Sequence, residues 1–295
     1  MSWLRRSRYA LEAAAATFAF TVFGLLPRRS ASALGGWLAR AVGPRLAVSD
    51  VARRNLGVAL PELDPTAIER VVGGVWENLG RTIAEYPHLA AIDCFLPGGP
   101  VEVVGIERLA RLKAQGRAVV FVSAHYGNWE IASLAAGQFG MPFHYVYRQA
   151  NNPYIERWVQ RFRRATLGAY HPKGAAGLRE LIRAARRGEH LGLLADQKTN
   201  EGIAVPFFGR PAMTGAAVAR IALRYGLDVV PARVDRLSGG RFRVTVETPI
   251  DVLAGADAEA DVAALLGRIN RIFEDWIRAR PDHWLWLHRR WPERR

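Results

Sequence analysis

From Ala118 onward, short apolar runs alternate with longer amphipathic stretches. Strand-like segments fall at 118–123, 142–147, 191–195, 228–234 and 241–248, and helical patterns at 129–139, 153–167, 175–187, 214–225 and 259–279. This alternation predicts an α/β fold, a mixed and mostly parallel sheet flanked by helices. The stretch RFRVTVE, Arg241 to Glu247, alternates apolar with polar residues, as a half-exposed strand near a sheet edge does. Upstream, Pro65 to Ala91 reads as a helix capped by Asp64, with Ile68, Val71, Val72 and Val75 on one side. No internal repeat or low-complexity linker divides the chain.

Nearer the start, Ala10 to Leu26 is mostly apolar, with Glu12 its one charge, and is flanked by Arg5, Arg6 and Arg8 before and Arg28 and Arg29 after. It is barely long enough to span a bilayer. A basic start, an apolar stretch and Ala31-Ser32-Ala33 also resemble a signal peptide, but arginines directly after the apolar stretch argue against export. Positive charge on both flanks leaves the orientation open and suits a helix lying in, or partly crossing, the cytoplasmic leaflet. The expected organisation is a membrane-associated N-terminal helix over 1–30 followed by one domain over 31–295.

The chain has 295 residues and a formal net charge of +14, which predicts attraction to polyanions: nucleic acid, anionic lipid or acidic carrier proteins. All but three of its 41 basic residues are arginine, a bias expected from genome composition as well as from function. The single cysteine, Cys94, forbids an internal disulfide and stands in no thiol motif. The chain contains no CxxC pair, HExxH helix, EF-hand loop, phosphate loop or GxGxxG turn, so neither a metal nor a nucleotide cofactor is expected.

The candidate chemistry lies in AVVFVSAHYGNWE, Ala118 to Glu130. A strand delivers His125 to its carboxyl end, where open α/β sheets gather ligands. Gly127 permits a sharp turn, Asn128 is a good N-cap, and Glu130 falls in the first turn of the next helix. On one continuous helix, His125 and Glu130 would diverge by about 140°, whereas a loop-then-helix placement lets them meet. An anion beside the imidazole fixes its tautomer and stabilises the imidazolium, which makes His125 a candidate general base. The bland alternative is a histidine satisfied by backbone and a glutamate that caps its helix. Ser123 lacks a GxSxG elbow and lies on the strand itself, so it is not expected to be a nucleophile.

SAHYGNWE resembles the H-x4-[DE] block of the lysophospholipid and lipid A acyltransferases, particularly the lipid A lauroyl/myristoyl acyltransferase family. Further blocks follow in that family's order: VYRQANNP (Val146 to Pro153), LLADQ (Leu193 to Gln197), VPFFGRPAMTG (Val205 to Gly215) and HWLWLHRRW (His283 to Trp291). The resemblance covers about two-thirds of the chain and implies a glycerolipid acyltransferase-like fold.

By the same resemblance, His125 takes a proton from an acceptor hydroxyl while Glu130 orients and charges the imidazole. The hydroxyl attacks an acyl thioester on acyl carrier protein with no acyl-enzyme, metal or nucleotide. The acceptor would be a hydroxyl of a lipid A precursor, an anionic membrane lipid, at the cytoplasmic face of the inner membrane. Arg148, Asp196 and Asn128 are the substrate-binding candidates: Arg148 as a fork for an anionic acceptor, and Asp196 as an organiser that fixes Arg148. Tyr126 stands where the family usually has phenylalanine, and Gln149-Ala150 replaces the PN of YRPN, so the acceptor stays open between lipid A and another lipid, such as a phosphatidylinositol mannoside, lysophospholipid or aminolipid. A basic peripheral membrane protein without enzymatic activity would explain the charge but not the ordered blocks, and neither does nucleic-acid binding, so no nucleic-acid partner is expected. Trp284, Leu287, His288 and Trp291 share one face if the C-terminus is helical, a face that suits either a membrane interface or the core.

Overall fold

The apolar run before His125 becomes a strand at the centre of the main sheet. A computed structural model describes residues 3–252 and 255–291. Four helices come first: α1 (Trp3–Leu25), α2 (Arg28–Val42), α3 (Ser49–Ala59) and α4 (Pro65–Glu85). The α/β portion follows as β1 (Val101–Val104), α5 (Ile106–Ala114), β2 (Val119–Ser123), α6 (Trp129–Gln138), β3 (Phe143–Tyr147), α7 (Pro153–Arg163), β4 (Ala169–Pro172), α8 (Ala175–Arg186) and β5 (His190–Leu194). It is completed by β6 (Lys198–Phe207), β7 (Arg210–Thr214), α9 (Ala217–Tyr225), β8 (Asp228–Leu237), β9 (Arg241–Val246) and α10 (Ala258–Ala279).

Seven strands form the main sheet in the order β1-β9-β8-β2-β5-β3-β4, and β6 and β7 form a separate antiparallel hairpin. All neighbours in the main sheet are parallel except β8 and β9. Both faces are covered. Val120, Val122, Leu191 and Val229 pack towards α8, α9 and α10, and Val119, Phe121 and Val230 pack with Leu109 and Leu112 of α5 and Ala136 of α6. Burial on both faces is why β2 reads as an unbroken apolar run. β9 alternates exposed with buried residues and lies near the edge as expected, with only β1 pairing along its outer side.

From β2 the chain crosses by α6 to β3 on one side, and from β5 it crosses by the hairpin and α9 to β8 on the other. The carboxyl ends of β2 and β5 therefore flank the point where the winding changes direction, which is where such sheets hold ligands.

Asp64 caps α4 as the sequence predicts, accepting from the Ala67 N–H at 2.7 Å, and α4 gives way to a 3-10 turn over Tyr86–Ala91. At the N-terminus, the 30/31 boundary falls inside α2. Among the described residues no helix is long and apolar enough to cross a membrane.

The C-terminus departs most from expectation. After a 3-10 turn at Pro281–His283 the chain is not helical, so Trp284, Leu287, His288 and Trp291 share no helix face. Trp284, Trp286 and Trp291 are buried and stack among themselves and on Phe207 and Phe208 of the hairpin. Buried Arg290 donates to the Met213 carbonyl (2.9 Å) and the Thr214 hydroxyl (2.8 Å), with its guanidinium over the Phe207 ring. Indole N–H groups and a guanidinium need acceptors when buried, and an irregular segment finds them on several elements where a helix would satisfy only its own backbone.

In this segment His288 donates from Nδ1 to the Leu285 carbonyl at 2.7 Å, and its buried Nε2 has no hydrogen-bond partner among the described residues. Burial pushes its pKa down to about 4, against the pull of Asp196. The unfolded chain thus binds this proton more readily than the folded one, and stability falls as pH drops from about 6.5 towards 4, by up to about 3 kcal/mol. Urea midpoints at pH 7.5, 5.5 and 4.5 should decline in the parent, and the decline should be shallower in His288→Gln.

Candidate active site

His125 lies in the turn between β2 and α6, and the backbone of that turn is held from several sides. Gly127 has φ of 58°, and a Cβ there would lie 1.8 Å from the Val234 carbonyl oxygen, so both conformation and contact require glycine. Its N–H donates to the His283 carbonyl at 2.9 Å, and its own carbonyl accepts from Asn78 (3.0 Å) and Thr82 (3.3 Å) of α4. The Leu285 N–H donates to the His125 carbonyl at 3.0 Å, so the C-terminal segment runs beside the turn like a short strand. Tyr126 points into the core, where its hydroxyl donates to the Trp276 carbonyl at 3.2 Å.

Asn128 caps α6, accepting from the Glu130 N–H at 3.2 Å, while its amide donates to Glu85 at 2.7 Å. It is buried, with its oxygen and nitrogen both engaged, so these contacts assign it to the turn and leave no group directed at a ligand. Glu85 is itself fully buried, accepting from Ser32 of α2 and pairing with Arg236 of β8, which also reaches Asn78 and Thr82. This network ties α2, α4 and β8 to the turn that carries His125.

The imidazole pairs with Asp196, not with Glu130. Asp196 Oδ1 lies 2.9 Å from His125 Nδ1, and Oδ2 accepts from the His125 N–H at 3.0 Å and from the Trp284 indole at 2.8 Å. Burial would push this carboxyl up, yet His125 and its hydrogen bonds hold it well below the usual carboxylate range, so it stays ionised. In the neutral tautomer that donates Nδ1–H to the carboxylate the lone pair lies on Nε2, which has no hydrogen-bond partner among the described residues. The side chain is 21% exposed, enough for a reactant to reach it.

Glu130 is buried one helical turn further on and forms no hydrogen bond or ion pair with His125. It accepts from Tyr86 (2.7 Å) and Trp129 (3.2 Å) and is forked by Arg163, whose Nη2 approaches to 2.7 Å. Arg163 lies over the rings of Tyr147 and Tyr170, and Glu130 raises its pKa although burial works against the charge. The distribution of cations is the reason: the helix start points the carboxylate towards α7, where Arg163 would otherwise be a buried charge without a counter-ion. Trp129 links the two groups, its indole donating to Glu130 and its ring standing edge-on to His125 at 5.1 Å.

Beside Ser123 and Trp129 opens a narrow cavity of about 60 Å³, walled by Phe121, Phe143, Tyr145, Tyr170 and Leu193, with Glu130 and Arg163 on its lining. Gly192 makes room for this wall, since a Cβ there would lie 2.4 Å from the Tyr145 ring. A larger cleft of about 640 Å³ lies between α2, α4 and the β8–β9 turn, but His125 is not in its wall. Arg148 follows β3 at the same carboxyl edge as His125 and Asp196; it is exposed and forms no ion pair among the described residues, so Asp196 does not fix it. Cys94 is buried and its thiol pushed up to about 12 by that burial, which rules out an activated nucleophile there.

Trp284, Arg163 and Trp129 are site residues that sequence reasoning passed over. HWLWLHRRW was visible as a block, but helical spacing hid that its first tryptophan reaches Asp196, 88 positions away. No motif marks Arg163, one of many arginines.

The arrangement therefore offers an imidazole with an open Nε2 and an ionised partner on the other nitrogen, connected through Trp129 to a narrow apolar cavity that His125 itself does not line. Residues 3–293 match the family described as bacterial lipid A biosynthesis acyltransferase. The chain is 27% identical over 253 residues to the lipid A biosynthesis lauroyltransferase of Escherichia coli (strain K12), covering 83% of this chain and 79% of the relative. It is also 27% identical over 259 residues to the lipid A biosynthesis palmitoleoyltransferase of the same organism, covering 83% and 78%. A phosphatidylinositol mannoside acyltransferase of Mycolicibacterium smegmatis is 24% identical over 244 residues, covering 81% and 78%. With a family match over nearly its whole length, this chain belongs to the bacterial lipid A biosynthesis acyltransferases and is an acyltransferase.

Proposed function

We propose that the protein transfers a fatty acyl chain from a thioester on acyl carrier protein to a hydroxyl of a lipid A precursor, at the cytoplasmic face of the inner membrane. The observation that carries this reading is the His125–Asp196 pair, with Nε2 unpartnered and the imidazole edge-on to Trp129, which lines the neighbouring cavity. Nε2 accepts the proton of the acceptor hydroxyl as its oxygen attacks the thioester carbonyl. The carbon–sulfur bond then breaks, and the imidazolium returns the proton to the departing thiolate. No covalent acyl-enzyme is needed, and neither metal nor cofactor enters the scheme.

Asp196 stabilises the imidazolium formed in the transition state and fixes the tautomer beforehand. Trp284 holds Asp196. Glu130 with Arg163 builds the polar end of the cavity that seats the start of the acyl chain, and shapes the wall through Trp129. Arg148, exposed at the mouth of the site, meets the anionic acceptor.

The reading is tested by mass spectrometry of total lipids from cells with and without the gene, followed by transfer from acyl carrier protein to a phosphorylated glucosamine disaccharide lipid with purified enzyme. A lipid A species lighter by one acyl group in the deletion supports it. An acyl loss confined to another lipid class, such as the glycolipid named for the mycobacterial relative, overturns the acceptor and leaves the chemistry standing.

His125→Ala should lower kcat about 10²- to 10⁴-fold and, because buried Asp196 loses its imidazole partner, lower the thermal midpoint as well. Asp196→Asn leaves three donors facing a single acceptor oxygen, so kcat should fall at least about 10²-fold with KM little changed.

Glu130→Gln should break the buried ion pair and destabilise the fold by about 3–5 kcal/mol, with KM for the acyl donor rising more than kcat falls. If kcat collapsed while urea stability stayed at the parent value, Glu130 would act on the imidazole and not on the cavity wall.

A further inference from the structure

The larger cleft, away from His125, is lined by five arginines, Arg40, Arg70, Arg81, Arg236 and Arg280, and by two acids, Glu77 and Asp282. Their pairing leaves positive charge over. Glu77 accepts from both Arg81 (2.6 Å) and Arg40 (3.1 Å), so one carboxylate serves two guanidinium groups. Arg236 is committed to Glu85, Asn78 and Thr82, and Arg280 meets Asp282 at 3.4 Å. The Arg70 side chain is exposed and forms no ion pair or hydrogen bond among the described residues. With Glu85 counted, five cations face three anions, and Arg28 adds a cation at the rim, where it donates to the Gly240 carbonyl at 2.7 Å.

Arg70, Gly74, Glu77 and Arg81 recur at i, i+4, i+7 and i+11, so one face of α4 forms a wall of the cleft. The Pro281–His283 turn forms another and meets α4 at Gly74, where an added Cβ would lie 2.7 Å from the Asp282 Cβ. Both walls hold the turn that carries His125. The Gly127 N–H donates to the His283 carbonyl, and the Gly127 carbonyl accepts from Asn78 and Thr82 of α4, which accept in turn from Arg236. The spacing of the walls therefore sets the backbone two residues after His125. Leu63, Val71 and Leu237 give the same cleft an apolar side, and its volume of about 640 Å³ suits a small organic ligand.

We propose that this cleft is a second binding site, separate from the His125 site, for a phosphate monoester on an apolar group, and that its occupant clamps the turn carrying His125. The guanidinium forks of Arg70 and Arg81 take phosphate oxygens in pairs, and Arg280 draws the Pro281–His283 turn towards the same anion. The apolar portion lies along Leu63, Val71 and Leu237. Surplus charge and apolar wall share one recess, which suits a small molecule with both characters. The occupant fixes the distance between the two walls that hold Gly127, and so couples the cleft to the turn. The inference goes beyond the acyl-transfer reading and does not rest on it, since binding and exchange are measured without turnover.

Isothermal titration of the purified full chain with hexyl phosphate should show a site that Arg70→Glu weakens about tenfold or more. Ser238→Trp, which fills the cleft from the β8–β9 turn, should abolish it, and Arg148→Ala, at the His125 edge, should leave it unchanged. Inorganic phosphate should bind at least about tenfold more weakly than hexyl phosphate; equal affinity for the two would overturn the apolar part of the site. Saturating hexyl phosphate should also slow amide hydrogen exchange across residues 124–130 by about threefold or more, an effect that Arg70→Glu loses at the same concentration. Unchanged exchange in the parent would overturn the clamp. Absence of binding would overturn the whole proposal, as would binding that survives Arg70→Glu and Ser238→Trp but is lost in Arg148→Ala, because the phosphate would then sit at the His125 site.

Discussion

The structure depends on keeping one carboxylate charged inside the protein. Asp196 is fully buried, and a buried charge persists only where opposite charge and donors surround it. The carboxylate follows β5, and its donors come from two distant parts of the chain: the β2–α6 turn supplies an N–H and an imidazole, and the C-terminal segment supplies an indole. Satisfying that charge brings the ends of the chemistry together. It sets the tautomer of His125, seats the C-terminal segment against the turn, and places the imidazole at the switch point of the sheet.

Around this centre the protein uses two further buried ion pairs, Glu85 with Arg236 and Glu130 with Arg163. The first joins the N-terminal helices to the turn through Ser32, Asn78, Thr82 and Asn128. The second closes the cavity side, reaching Tyr86, Tyr147 and Tyr170. The turn thus stands between two locked polar networks, and its position is fixed from both flanks. Such networks position groups more than they stabilise them, because desolvation offsets much of the Coulombic gain. Positioning is what the proposed direct transfer would require, since hydroxyl, thioester and base would have to align in a single encounter.

The sequence alone determined the α/β order, the strand before His125, the caps at Asp64 and Asn128 and the glycine turn, because each follows from local periodicity or from backbone chemistry within a few residues. It also marked His125 and Asp196 as residues at strand ends. What it could not assign was partnership. The five-residue spacing suggested that Glu130 faces the imidazole, but which carboxylate meets His125 depends on β5 lying beside β2 and on Arg163 attracting Glu130 away, both set by contacts more than 30 positions apart. Helical spacing likewise suggested a C-terminal helix, yet the tryptophans and Arg290 leave helical geometry to find acceptors on Asp196, Phe207 and Met213. Local rules fix which groups are available at each strand end; only the tertiary structure, by offering buried charges and indole N–H groups partners from distant elements, decided which of them meet.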